Sequence, residues 1–240
     1  MTPTPIVALD VPTTRAALAL ADRLGDGCAF YKVGLELFTA EGPRAVAALR
    51  DRGADVFLDL KLHDIPNTVA GAARSAARLG VRLLTVHASG GSPMVRAAVQ
   101  AAGEECGILA VTLLTSLDPS TAAAAWGRDA LDVADEVVRL AGVAAEAGAL
   151  GVVCSGHEAA RVRDVHGSAL ATLVPGVRPA SAPAHDQARV VTPAAAAAAG
   201  ARWVVLGRAV TAAADPAAAL AALRAELGAA PNGPAAGPRA

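Results

Sequence analysis

At 240 residues the chain is long for one ordinary domain but normal for a single α/β barrel, and it can bury a large core. Its 54% hydrophobic content is inflated by alanine, aromatics contribute only 2%, and no run of about 18 strongly apolar residues marks a membrane span. A formal net charge of -1 supplies no global attraction to nucleic acid or to a membrane surface.

One phrase repeats along the chain: a short apolar strand, a loop, then an Ala- and Leu-rich amphipathic helix closed by glycine. Residues 6–9 form the first strand, which Asp10 ends; with no basic stretch ahead of it, this segment does not read as a secretory signal. The second strand, 30–33, contains Lys32, and Thr39 then precedes a helical segment over 40–50 that closes at Arg52-Gly53-Ala54. Strands three and four cover 55–60 and 83–87, with a helix between them ending at Leu79-Gly80-Val81. Strand five, 108–112, leads into a long connection, 116–132, that contains Asp118-Pro119. Strand six, 151–154, follows Ala147-Gly148-Ala149, and strand seven, 172–174, opens a second long connection, 175–190, with Pro175, Gly176, Pro179 and Pro183. Thr192-Pro193 pairs a capping residue with proline at the first helical position, and Ala199-Gly200-Ala201 closes that helix before strand eight at 203–206.

Strands alternating with helices require parallel pairing and right-handed crossovers. Eight such units close into a (β/α)8 barrel, a TIM barrel, rather than an open sheet. No Gly-x-Gly-x-x-Gly turn follows the first strand, which argues against a dinucleotide-binding doubly wound sheet. Both long connections leave the C-terminal ends of their strands, where barrels build active sites and lids. One domain is expected over 1–228, followed by a disordered Pro-, Gly- and Ala-rich tail at 229–240.

The sharpest chemical signal lies at strand three. Val56, Phe57, Leu58 and Leu60 read as buried, yet Asp59 and Lys61 stand among them, and Asp64 follows as the strand gives way to a turn at Ile65-Pro66. Two residues apart on a strand, Asp59 and Lys61 point to the same face. Burying such a pair costs several kcal/mol unless it is well compensated, and function is a common reason to tolerate that. Asp10, Lys32 and Arg208 also fall at or near C-terminal strand ends, which a closed barrel brings to one cavity. Gly207-Arg208 after the last strand suits an anion, by close backbone approach and a forked donor, and Arg178 and Gln187 can close over the same anion.

The five histidines form no metal constellation. His63 is expected on the face opposite Asp59 and Lys61, His87 either lines the cavity or is a satisfied core residue, and His157, His166 and His185 read as surface. Cys28, Cys106 and Cys154 are odd in number and lack a Cys-x-x-Cys pair, so they read as buried thiols in a reducing cytoplasm.

The run Asp59-Leu60-Lys61-Leu62-His63-Asp64-Ile65-Pro66-Asn67-Thr68 closely resembles the signature of the orotidine 5'-phosphate decarboxylase family. Matching segments occur in the family's order: Val7-Ala8-Leu9-Asp10, Tyr31-Lys32-Val33-Gly34, Val111-Thr112-Leu113-Leu114-Thr115-Ser116, Pro175-Gly176-Val177-Arg178-Pro179 and Val205-Leu206-Gly207-Arg208. The resemblance implies decarboxylation of orotidine 5'-monophosphate to UMP and CO2 in de novo pyrimidine biosynthesis, without metal or organic cofactor. It also implies that Asp10 and Lys32 hold the ribose hydroxyls, while Asp59 and Lys61 face C6 of the pyrimidine and Lys61 protonates it. Thr115 and Ser116 would address the base, Gln187 would bridge base and phosphate, and Arg178, Gly207 and Arg208 would bind phosphate. Ile65 would belong to the substrate-binding stretch. A cytoplasmic homodimer is implied, with Asp64 and Thr68 reaching into the neighbouring subunit's site.

The chain departs from the family's usual pattern at Ala209, where proline is common, and at Gly156, where a non-glycine residue is usual. Two rival readings remain. One is a metal-dependent sugar-phosphate barrel lyase of the ketogulonate-phosphate decarboxylase or hexulose-phosphate synthase type, which shares the Asp-x-Lys-x-x-Asp core. The other is a non-catalytic nucleotide-binding barrel. Ile65-Pro66-Asn67-Thr68 favours the nucleotide enzyme over the first, and the intact Asp59, Lys61 and Asp64 argue against the second.

Overall fold

Alternation along each strand sends successive apolar residues to opposite sides of a closed wall. In the computed structural model, which describes residues 2–179 and 189–229, the strands pair in sequence order into a closed barrel, as expected. They are β1 (Thr4–Ala8), β2 (Phe30–Gly34), β3 (Asp55–Leu62), β4 (Leu83–His87), β5 (Gly107–Val111), β6 (Gly151–Val153), β7 (Ala171–Val174) and β8 (Trp203–Leu206). All neighbours run parallel, and β8 closes on β1 from Thr4↔Trp203 to Val7↔Leu206.

The core is accordingly split by the barrel wall. Ile6, Phe30, Phe57, Leu83, Leu109 and Trp203 fill the interior, whereas Val7, Leu58, Leu84 and Val204 join the larger cluster between wall and helices. Both sides are dry, which is why these strands read as continuous apolar runs rather than alternating ones. The abundant alanines have a use here: Ala17, Ala73, Ala98, Ala141, Ala159 and Ala196 are fully buried on helix faces, where a small side chain lets a helix lie close to the sheet.

The helix ends largely follow the sequence. Thr192 accepts a hydrogen bond from the Ala195 N–H at 3.2 Å and Pro193 opens the helix Pro193–Ala198. Gly53, Gly80, Gly148 and Gly200 all take the left-handed conformation after a helix, with φ of 75°, 71°, 78° and 81°. Thr39 behaves differently. It lies inside a helix, Leu35–Glu41, and the next helix starts afresh at Pro43 after Gly42 turns the chain with φ of 62°. A glycine followed by proline at the first helical position outcompetes an isolated threonine as a start signal. The long connection 116–132 contains a short helix, Pro119–Ala125, with a reciprocal Asp118–Thr121 capping box.

Cys28, Cys106 and Cys154 are free and buried, and burial pushes all three thiols up, Cys106 to about 11. His157 is exposed as expected, but His166 is half-buried and its Nε2 donates to the Val138 carbonyl at 3.0 Å. His185 lies outside the described residues. Among those described, no helix is long and apolar enough to cross a membrane. Of the tail beginning at Ala229, that residue closes the helix Pro216–Ala229, and the remainder lies outside the described residues.

Candidate active site

The C-terminal strand ends surround a cavity of about 500 Å³ lined by Asp10, Lys32, Asp59, Lys61, Thr115, Arg178, Gly207 and Arg208. A larger opening, about 640 Å³, sits at the other mouth among strand starts such as Thr4, Asp55, Leu83 and Trp203, and contains none of these residues. The convergence expected from the barrel therefore holds for the charged set.

Interior alternation explains how it arises. Phe30 and Phe57 face the barrel interior, and two residues further along, Lys32 and Asp59 occupy the same side one layer nearer the mouth. The register places Lys32 opposite Ala8 on one side and Phe57 on the other, so its ammonium meets acids from both neighbouring strands. Lys32 Nζ lies 2.7 Å from Asp10 Oδ1 and 3.9 Å from Asp59 Oδ2, and Lys61 Nζ lies 2.8 Å from Asp59 Oδ1. The order is acid, base, acid, base. Each cation thus has a carboxylate beside it, which offsets the desolvation that burial of Lys32 and Asp59, with side chains 11% and 13% exposed, would otherwise cost. Gly34 leaves room for this chain of charges, because a Cβ there would stand 2.8 Å from Lys32 Nζ and 3.1 Å from Asp10 Oδ1.

Lys61 reaches the array by a less regular route than alternation. The β3–β4 register shifts between Leu58 and Leu62, and Lys61 has φ of 50°, the one positive φ among the described non-glycine residues. Such a conformation is strained for a side-chain-bearing residue and persists when its surroundings hold it. The fully buried Thr85 of β4 does so: its Oγ1 accepts from the Lys61 N–H at 2.9 Å and donates to Asp59 Oδ1 at 2.9 Å. His63 is exposed and does not line the cavity with Asp59 and Lys61; its ring packs against His87 with centroids 5.3 Å apart. Burial, then His63, then Lys61 hold His87 below the ordinary histidine value.

At the ends of β7 and β8 the described residues bring two arginines, Arg178 and Arg208, to the cavity. Burial, followed by the positive charge of Arg208, lowers the Arg178 pKa. A Cβ at Gly207 would meet no protein atom within 4 Å, leaving its backbone open to the cavity. The two ends of the connection after β7 are bridged: the Arg178 N–H donates to the Val191 carbonyl at 3.1 Å and the Val191 N–H to the Gly176 carbonyl at 3.3 Å. Gln187 lies outside the described residues.

Not every expected residue reaches this cavity. Ser116 is exposed and does not line it. Asp64, Ile65 and Thr68 are also exposed, at the start of the helix Pro66–Arg78, with Ile65 67% accessible and Asp64 Oδ1 accepting the Ile65 N–H at 2.6 Å. Among the described residues, no group of three or more His, Cys, Asp or Glu side chains stands where it could hold a metal ion.

Three features escape a reading of the sequence. Thr85 is one, although its place between inward Leu83 and His87 is a usable signal. The second is the Arg189–Glu158 ion pair, 2.9 Å long with side chains 12% and 6% exposed. Arg189 also donates to the carbonyls of Leu113 at 3.5 Å and Leu114 at 3.2 Å, so it ties the connection after β7 to the helix Gly156–His166 and to the segment that precedes Thr115. Glu158→Ala would leave that guanidinium buried without its carboxylate, and a loss of about 3–5 kcal/mol is expected by urea denaturation; a loss below about 1 kcal/mol would contradict a structural role for the pair. The third is the reason for the glycine at 156, whose missing side chain is matched by Val191: a Cβ on Gly156 would lie 2.6 Å from the Val191 Cγ2. The departure at Ala209 has no such counterpart, beyond its lining the cavity.

Comparison with known proteins agrees with this geometry. Residues 3–223 match the model of the orotidine 5'-phosphate decarboxylase / HUMPS family. The chain is 56% identical over 224 residues to the orotidine 5'-phosphate decarboxylase of Anaeromyxobacter sp. (strain K), covering 92% of this chain and 96% of that relative. It is 49% identical over 230 residues to the enzyme of the same name from Moorella thermoacetica, covering 92% and 91%. The crystal structure of orotidine 5'-phosphate decarboxylase from Lactobacillus acidophilus superimposes with a TM-score of 0.84 at 37% identity, over 95% of this chain and all of that one. With its family model matched from the first strand into the last helix, and its charge array at the mouth of the barrel, the chain belongs to the orotidine 5'-phosphate decarboxylase / HUMPS family.

Proposed function

We propose that the chain decarboxylates orotidine 5'-monophosphate to UMP and CO2, the step that completes UMP in de novo pyrimidine biosynthesis. The observation that carries this reading is the alternating array Asp10, Lys32, Asp59 and Lys61 in a cavity that also holds Arg178 and Arg208. A nucleotide has matching parts: hydroxyls for the outer Asp10–Lys32 pair, a reacting ring carbon for Lys61, and a phosphate for the arginines. The sugar-phosphate lyase alternative is not favoured, since the curated relatives of both genera named above carry the nucleotide enzyme's name at 49–56% identity.

The chemical difficulty is the carbanion left at C6 when CO2 departs. Lys61 as an ammonium stabilises that developing charge and then delivers a proton to C6, and Asp59 at 2.8 Å favours the charged form that a proton donor needs. Thr115 addresses the pyrimidine from the end of β5, with Ser116 and Gln187 as further contacts. Gly207, Arg208 and Arg178 hold the phosphate, whose binding energy helps to assemble the site. No metal or organic cofactor takes part.

The exposed Asp64, Ile65 and Thr68 fit a homodimer in which the start of the helix Pro66–Arg78 reaches a second copy's cavity. The three free, buried thiols fit a reducing cytoplasm. Purified protein given orotidine 5'-monophosphate is expected to release UMP and CO2 in equal amounts. Turnover of a phosphorylated sugar instead, with none of the nucleotide, would overturn the reading.

A further inference from the structure

Among the described residues, Thr85 is the one side chain hydrogen-bonded to both Lys61 and its carboxylate partner Asp59. It sits on β4, where alternation from Leu83 aims it into the barrel, and it is fully buried. Its hydroxyl has a single proton, and the geometry says where that proton goes. Oγ1 accepts from the Lys61 N–H at 2.9 Å, so the O–H is left to donate to Asp59 Oδ1, also at 2.9 Å. The same Asp59 oxygen receives Lys61 Nζ at 2.8 Å. One hydroxyl therefore fixes the lysine at both ends: its backbone, held at φ of 50° where the β3–β4 register shifts, and its ammonium, through the carboxylate.

We infer that Thr85 is a positioning residue for the reaction, acting through Lys61 and Asp59 without lining the cavity itself. This rests on the decarboxylase reading above. A lysine on a flexible four-carbon stem delivers a proton to one carbon only if its root and its tip are both restrained. Valine has the shape of threonine but lacks the hydroxyl, so Thr85→Val removes the restraint while keeping the packing. Asp59 then loses a donor, the part-buried Lys61 N–H loses its acceptor, and the positive φ loses its support.

The test compares Thr85→Val and Thr85→Ser with the wild-type protein. Thr85→Val is expected to lower kcat about 10- to 100-fold, in line with the cost of a misplacement of about 1 Å, while UMP binds within about twofold of wild type. Thr85→Ser, which keeps the hydroxyl, is expected to stay within about threefold in kcat. Amide hydrogen exchange at Lys61, read by NMR, should speed up in the valine variant and not in the serine one. Equal kcat losses in both variants would assign the effect to packing and overturn the proposal, as would a valine variant with wild-type kcat. If the wild-type protein did not turn over the nucleotide at all, the function reading would fail, while the exchange data would still decide whether Thr85 holds Lys61: unchanged exchange in Thr85→Val overturns that too.

Discussion

Lys61→Ala should reduce decarboxylation of orotidine 5'-monophosphate by at least about 10⁴-fold, because the substitution removes two contributions together. Proton delivery by a positioned acid contributes about 10²–10⁴-fold, and a preorganised charge at a developing anion about 10²–10³-fold. No other described ammonium can take the place, since Lys32, the other lysine of the array, is held between Asp10 and Asp59 at 2.7 and 3.9 Å. The barrel should still fold: Asp59 keeps Lys32 and the Thr85 hydroxyl, and the interior layer of Phe30, Phe57, Leu83 and Leu109 lies one step below the site. The checks are steady-state kinetics beside a circular dichroism melt. A folded variant with near wild-type turnover would remove Lys61 from the role of proton donor.

The second large effect is expected at the other functional end of the cavity. Arg208→Ala should lower kcat/KM for the nucleotide about 10²–10³-fold, the worth of two charge-assisted hydrogen bonds at roughly 1.5–3 kcal/mol each, trimmed because Arg208 is exposed. Part of that loss should appear in kcat, because phosphate binding is coupled to assembly of the site. The nucleoside without its phosphate separates this from a general disturbance: it should be a poor substrate already, and Arg208→Ala should cost it little more. Equal losses on both substrates would show that Arg208 does not act through the phosphate.

Both effects depend on residues that the sequence makes legible for a simple physical reason. Charges that interrupt an apolar strand are costly, so Asp59 and Lys61 stand out, and a barrel leaves one place for the C-terminal strand ends to meet. Strand positions are legible too, since burial on both faces of the wall yields unbroken apolar runs. What escapes is what backbone irregularity and long-range contact decide. The left-handed turn at Lys61 has no residue-type signature, because lysine is not a residue that favours it, and so the extension of β3 to Leu62 could not be read. Glu158 and Arg189 are 31 residues apart and meet only because helix and loop pack together. Thr85 lay within reach, through its spacing from Leu83 and His87, but a lone threonine in a strand is more often read as packing. The proposed contribution of Asp64 and Thr68 to a second copy's site comes from the family resemblance and fits their exposure; spacing does not give it.

In the proposed reaction Lys61 and Asp59 act at C6 as CO2 leaves, Asp10 and Lys32 hold the ribose, and no metal takes part. The most direct measurement follows the ultraviolet absorbance of orotidine 5'-monophosphate with purified protein, in the presence and absence of excess chelator. Loss of the substrate chromophore at the same rate in both, with UMP as the product, is the result predicted; no turnover, or turnover that stops on chelation and returns with added divalent metal, would contradict it.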